Sequence, residues 1–268
     1  MHEECGVVGI FDAFDEFANE EESLDLASLT YYGLFALQHR GQESCGIAIN
    51  DDGNINCYKD MGLVGDVFKP DKLASLKGNI SIGHVRYSTT GASTRENAQP
   101  LVTHYIKGTL SIAHNGNLTN TNTLRTKLEQ EGAIFQTTVD SEIIAYMIAK
   151  SRSQCDSVEN AVIDVMTKIE GGYALLVMSP RKLIAARDPY GLKPLVMGKI
   201  GHAIVFASET CALDAMGAEL IRDVKPGEVV IVDRYGIRYV QTPARKCAKC
   251  VFEYIYFARP DSVMDGIS

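Results

Sequence analysis

The sequence predicts an α+β fold in which antiparallel sheets are covered by helices. Two observations carry this. Strand-like runs bunch together instead of alternating regularly with helices, above all from Gly171 onward, which argues against a doubly wound parallel sheet. At 268 residues and 46% apolar, the chain can bury a real core as one large domain or two small ones. There are no internal repeats and no low-complexity segments.

Taken in order, CGVVGIF at 5–11 reads as a buried strand rich in β-branched residues. Leu26, Leu29, Gly33, Ala36 and Leu37 then recur at helical spacing. Ser23 is the expected N-cap of that helix, and 39–41 its end. Strands are expected around 46–50, 55–59, 80–87 and 109–114. Asp140 and Glu142 open a helix carrying Ile143, Ile144, Met147 and Ile148, since acids suit a helix's first turn. Further strands are expected at 173–179, 183–187, 203–208, 228–233 and 237–241. TPARKCAK at 242–249 reads as a linker, and 250–268 is too short to be a domain, so the chain is expected to be the front part of something longer.

The bulk properties exclude several classes. A net charge of −8 argues against a nucleic-acid groove. No apolar run reaches the roughly 18 residues of a membrane span. The acidic N-terminus has no apolar core of a signal peptide. The seven cysteines are odd in number and irregularly spaced, as expected of reduced thiols in a cytoplasmic protein. No His or carboxylate spacing suggests a zinc site.

Cys5 raises the main chemical question. A free cysteine is by default a small buried hydrophobe. Removal of Met1–Glu4 as a leader, however, would place an α-amine beside the Cys5 thiol. An α-amine has a pKa of about 7.7–8, so it is a general base poised near neutral pH, and such a nucleophile needs no histidine partner.

Other segments set Cys5 in a pattern: LQHRGQES at 37–44, GHVRYSTTG at 83–91, AHNGNLTN at 113–120, TTVDSE at 137–142, GGYAL at 171–175, ARDPYGLKPL at 186–195, FASET at 206–210 and DVKPGE at 223–228. This set, in this order, resembles the class II glutamine amidotransferases, which are N-terminal-nucleophile hydrolases. The closing FEYIYFARPDSVMDGIS at 252–268 is similar to the branch whose glutaminase is followed by a phosphoribosyltransferase domain. The resemblance covers essentially the whole chain. It implies a four-layer α/β/β/α sandwich of two antiparallel sheets. It also implies a propeptide at 1–4, a glutaminase domain at 5–241, and at 242–268 a linker with the start of the next domain.

The resemblance assigns roles residue by residue. Cys5 is nucleophile and base. Asn115 and Gly116 form the oxyanion hole through the Asn amide and the Gly N–H; read without the family, Asn-Gly is an ordinary turn signal. Arg86, with the hydroxyl of Thr89, takes the glutamine carboxylate; otherwise Arg86 is a strand-end cation pairing a surface acid. Asp140 takes the substrate ammonium; otherwise it is a helix-dipole and capping residue. Arg40 helps hold the N-terminal strand, and Tyr87 sits on a loop that closes over glutamine. His39, His84 and His114 read as structural.

The glutaminase itself requires no cofactor. Cys247 and Cys250 form a C-x-x-C that lacks the other ligands of a metal site. In some members of the branch, a cysteine placed like Cys250 is a ligand of a [4Fe–4S] cluster completed by the later domain, where Mg also binds. Val229–Arg234 carries one acid and no Gly-rich loop, so it reads as plain strand and turn, and the phosphoribosyl site is expected elsewhere. The expected partners are glutamine, the phosphoribosyltransferase domain and, at full length, further copies of the chain. The rivals are another class II amidotransferase of the glucosamine-phosphate-forming type, an unprocessed non-catalytic relative, and a C-x-x-C metal-binding module.

Overall fold

The apolar run at 5–11 becomes the middle strand of a seven-stranded sheet. In the computed structural model, residues 5–14, 24–87, 92–243 and 245–267 are described. The chain opens β1 (Cys5–Phe11), α1 (Leu26–Ala36), β2 (Ser44–Asp51), β3 (Asn54–Met61), α2 (Val64–Val67), α3 (Pro70–Ser75) and β4 (Ile80–Arg86). It continues through β5 (Leu101–Tyr105), β6 (Gly108–Leu118), α4 (Thr121–Gln130), α5 (Asp140–Arg152) and α6 (Val158–Met166). The remainder is β7 (Gly171–Ser179), β8 (Lys182–Arg187), β9 (Val196–Ile200), β10 (Ala203–Ala207), α7 (Thr210–Met216), β11 (Glu219–Asp223), β12 (Glu228–Asp233) and β13 (Gly236–Gln241). A single π-turn follows at Glu253–Phe257.

One sheet has the order β11-β9-β10-β1-β4-β2-β3 and the other β13-β12-β8-β7-β6-β5. Every strand pairing is antiparallel. Three apolar cores separate four layers. Val8 and Ile10 of β1 pack against α1 and α7. Val7 and Phe11, on the opposite face, meet Leu176, Met178 and Leu183 of the second sheet. The outer face of that second sheet, through Leu175, Val177, Val229 and Ile231, is covered by α5 and α6. This is the expected four-layer α/β/β/α sandwich. Strands with both faces buried read as continuous apolar runs, because side chains alternate between two dry layers.

Several local expectations change. Ser23 lies outside the described residues, and Asp25 caps α1 by accepting from the N–H of Ser28 at 3.1 Å. α1 ends at Ala36, and Gln38–Arg40 forms one 3₁₀ turn. Asn115-Gly116 is not a turn: both residues lie inside β6, opposite Ala174 and Tyr173 of β7. Helix α6 went unread although its signal is local, with Ser157 as N-cap and Val158, Ala161, Val162 and Val165 at helical spacing. Residues 253–264 fold back onto the sandwich, burying Glu253, Phe257, Ser262 and Met264. Among the described residues, no helix is long and apolar enough to cross a membrane.

Candidate active site

The start of β1, the end of β4 and the last third of β6 meet at one edge of the space between the sheets. Cys5 stands directly opposite Arg86, and Arg86 is in turn opposite Ser44 on the next strand. Directly paired residues share a face. Cys5 and Arg86 therefore point the same way as Val7 and Ile82, toward the second sheet. Across that space, Asn115 continues the face of Ala113 on β6.

Cys5 is half-buried, and its Sγ lies 3.8 Å from the Tyr87 carbonyl oxygen. Its own carbonyl accepts from Arg40 Nε at 2.8 Å. Arg40 is fully buried and uses its other donors on Glu209 (2.6 Å) and Glu253 (2.7 Å). A buried guanidinium needs such partners, and here two carboxylates aim its third donor at the residue that heads β1. Tyr87 is partly exposed, at 42%.

Asn115 is fully buried. Its Nδ2 lies 3.4 Å from Ser208 Oγ, which accepts from the N–H of Val7 at 2.9 Å. Ser208 therefore ties the β6 amide to β1 two residues past the cysteine. At Gly116, φ is +147°, and an added Cβ would lie 2.1 Å from the Gly172 carbonyl oxygen. Only glycine allows this approach of β6 to β7.

Asp140 does not cap α5; Val139 holds the N-cap position. Asp140 instead accepts from the N–H of Leu118 at 2.9 Å and lies 3.5 Å from His114 Nδ1. Burial pushes its carboxyl up, but His114 and the N–H groups of Leu118 and Ser141 outweigh that and hold it below the ordinary carboxylate range. Arg86 is buried and its Nη1 donates to the Ala92 carbonyl at 3.2 Å. Asn97 donates to the same oxygen at 2.7 Å and to Thr138 Oγ1 at 2.8 Å, fastening 92–97 beside α5. Thr89 lies outside the described residues, as does the stretch 1–4.

Burial pushes the Cys5 thiol up; the Tyr87 carbonyl contact and the cations of Lys193, Arg86 and Arg40 act against it without reversing it. His84 is fully buried, its Nε2 contacts the His114 carbonyl at 3.0 Å, and burial drives its imidazole down to about 3. His39 pairs with Glu209 at 2.9 Å.

Lys193, Ser208, Glu209 and Glu253 were not singled out by sequence reasoning. Each lies in a motif that was, but nothing local shows that they meet around Arg40 and Asn115. Cys250 is half-buried, and Cys247 is exposed. A [4Fe–4S] cluster wants four thiolates. Among the described residues, no group of three or more His, Cys, Asp or Glu gathers, so these residues do not by themselves hold one. A cavity of about 200 Å³ between α4, α5 and α6 shares no lining residue with this site.

Residues 84–215 match the family described as "Glutamine amidotransferase domain". The amidophosphoribosyltransferase of Rhizobium etli is 48% identical over 99% of the chain and 53% of its own length. That of Methanothermobacter thermautotrophicus is 44% identical over 99% of the chain and 55% of its own length. The solved glutamine phosphoribosylpyrophosphate amidotransferase of Bacillus subtilis superposes with a TM-score of 0.87 at 41% identity, over 98% of this chain and 55% of that one. The chain thus spans about half the length of the relatives it matches.

Proposed function

We propose that this chain, which belongs to the glutamine amidotransferase domain family and within it to the amidophosphoribosyltransferases, hydrolyses glutamine with Cys5 as nucleophile. The observation that carries the reading is the junction of β1 and β4. There Cys5 sits opposite Arg86, its carbonyl is held by buried Arg40, and Asn115 is tied through Ser208 to the same strand.

The chemistry follows from these positions. With residues 1–4 removed, the Cys5 α-amine takes the thiol proton, directly or through a water. The thiolate attacks the side-chain amide carbon of glutamine. The oxyanion that forms is held by Asn115 Nδ2 and the Gly116 N–H, neutral donors that need not reorganise. Collapse breaks the C–N bond, the amine returns its proton, and ammonia leaves. Water then attacks the γ-glutamyl thioester, releasing glutamate and restoring the thiol. Arg86 and Thr89 bind the substrate carboxylate; a bidentate guanidinium suits that group. Asp140, held anionic, binds the ammonium.

In the longer protein, a following phosphoribosyltransferase domain with Mg would take the ammonia onto phosphoribosyl pyrophosphate, giving 5-phosphoribosylamine for purine synthesis. Cys250 is proposed as one thiolate ligand of a [4Fe–4S] cluster there, and the full chain as a homo-oligomer. The test uses a glutamine-analogue diazoketone and intact mass. Loss of Met1–Glu4, labelling at Cys5, and loss of both labelling and glutamine hydrolysis in Cys5→Ala are expected. Hydrolysis that survives Cys5→Ala would overturn the reading.

A further inference from the structure

A second group of buried charges lies behind the nucleophile. Glu253 is 1% exposed, and its two carboxylate oxygens face different cations. Oε2 accepts from Arg40 Nη2 at 2.7 Å and Oε1 from Lys193 Nζ at 2.9 Å. Arg40 in turn reaches the Cys5 carbonyl. Lys193 is itself set rigidly: Asp188 accepts from its N–H at 3.1 Å, and its carbonyl accepts from Arg187 Nε at 2.7 Å. Of the three cations that draw the Cys5 thiol down, Lys193 acts most strongly.

These contacts join parts of the chain that are far apart in sequence. Glu253 belongs to the π-turn that follows the 242–249 stretch, whereas Lys193 lies between β8 and β9. The same segment returns to Glu209 a second time, where the Arg259 N–H donates at 3.0 Å and Ser262 Oγ at 2.7 Å. Glu209 is the other carboxylate that orients Arg40.

We infer that Glu253 is a positioning residue for glutamine hydrolysis: by bridging Arg40 and Lys193, it fixes the cation that holds the Cys5 carbonyl and braces it against a second buried cation. The segment past residue 250 thereby completes the glutaminase site from behind. Without the carboxylate, Glu209 is the one remaining carboxylate on the Arg40 fork among the described residues, and Lys193 loses one of its buried contacts. A planar guanidinium released at one end rotates about its remaining pair. The Cys5 carbonyl moves with it, while Arg86 and Asp140, which bind the substrate's far end, stay in place. A misplacement near 1 Å at the reacting atom costs on the order of 10²-fold.

This inference rests on the glutaminase reading, and the experiment separates the two. The processed full chain, Glu253→Gln, Lys193→Gln and the double variant are compared in glutamine hydrolysis. Rates are normalised to Cys5 labelled by the diazoketone, so misfolded molecules do not count. In both single variants, kcat per labelled Cys5 is expected to fall at least about tenfold with KM held within about threefold, a split that marks loss after binding. The double variant should be no worse than the poorer single one, since both cut one bridge. Single variants that keep full kcat, or losses that multiply in the double variant, overturn the inference while the glutaminase reading stands. If Glu253→Gln has no cooperative melt, Lys193→Gln decides in the same assay. If the unaltered chain neither hydrolyses glutamine nor labels at Cys5, both readings fall together.

Discussion

Gly116→Ala tests the link between backbone approach and oxyanion binding. The new Cβ would lie 2.1 Å from the Gly172 carbonyl oxygen and 2.8 Å from Tyr173 Cα, both backbone atoms that cannot swing aside. A carbon–oxygen contact settles at about 3.3–3.6 Å, so β6 and β7 must part by roughly 1.2 Å. The φ of +147° adds strain of about 1–2 kcal/mol for any residue with a Cβ. Two weakened ladder hydrogen bonds add about 1 kcal/mol each. The sum, about 3–4 kcal/mol, lowers the melting temperature by roughly 10 °C in a domain of this size. The same shift moves the Gly116 N–H off its proposed place at the oxyanion, and loss of one such donor costs about 10²–10³ in kcat. Differential scanning calorimetry and a coupled glutamate assay read both effects. A variant that melts within about 2 °C of the parent and keeps kcat within about threefold would refute the reasoning.

Other expectations follow from the same contacts. Arg40→Met leaves the buried carboxylates of Glu209 and Glu253 short of a cation, and urea titration should show a loss of about 3–5 kcal/mol. Asp140→Asn removes the buried charge proposed to bind the substrate ammonium; kcat/KM should fall at least about 30-fold, the equivalent of about 2 kcal/mol, with the α-deamino analogue of glutamine far less affected. His84, driven down to about 3 by burial, should show no ring titration by NMR between about pH 5 and 8. Its folded pKa lies below the ordinary 6.5, so the unfolded state takes up the proton first. Stability should therefore fall as pH drops from about 6.5 toward 3, and His84→Gln should flatten part of that slope.

The sequence by itself determined the layers and the chemistry on offer. Apolar runs such as 5–11 and 228–233 had to be buried strands, and their bunching called for antiparallel sheets. Cys5 at the head of such a run, with Arg86 ending another, was legible because the residue types stand out where a strand stops. Local signals also misled: Asn115-Gly116 has the composition of a turn, but pairing with Ala174 and Tyr173 of β7 outweighs that preference. Only the tertiary structure decided which charges meet. Arg40 and Glu253 are 213 residues apart, and Asn115 and Ser208 are 93 apart. Periodicity records which face a side chain takes, not which distant side chain waits there. A buried cation must find a carboxylate, but the chain's closure in three dimensions chooses the one it finds.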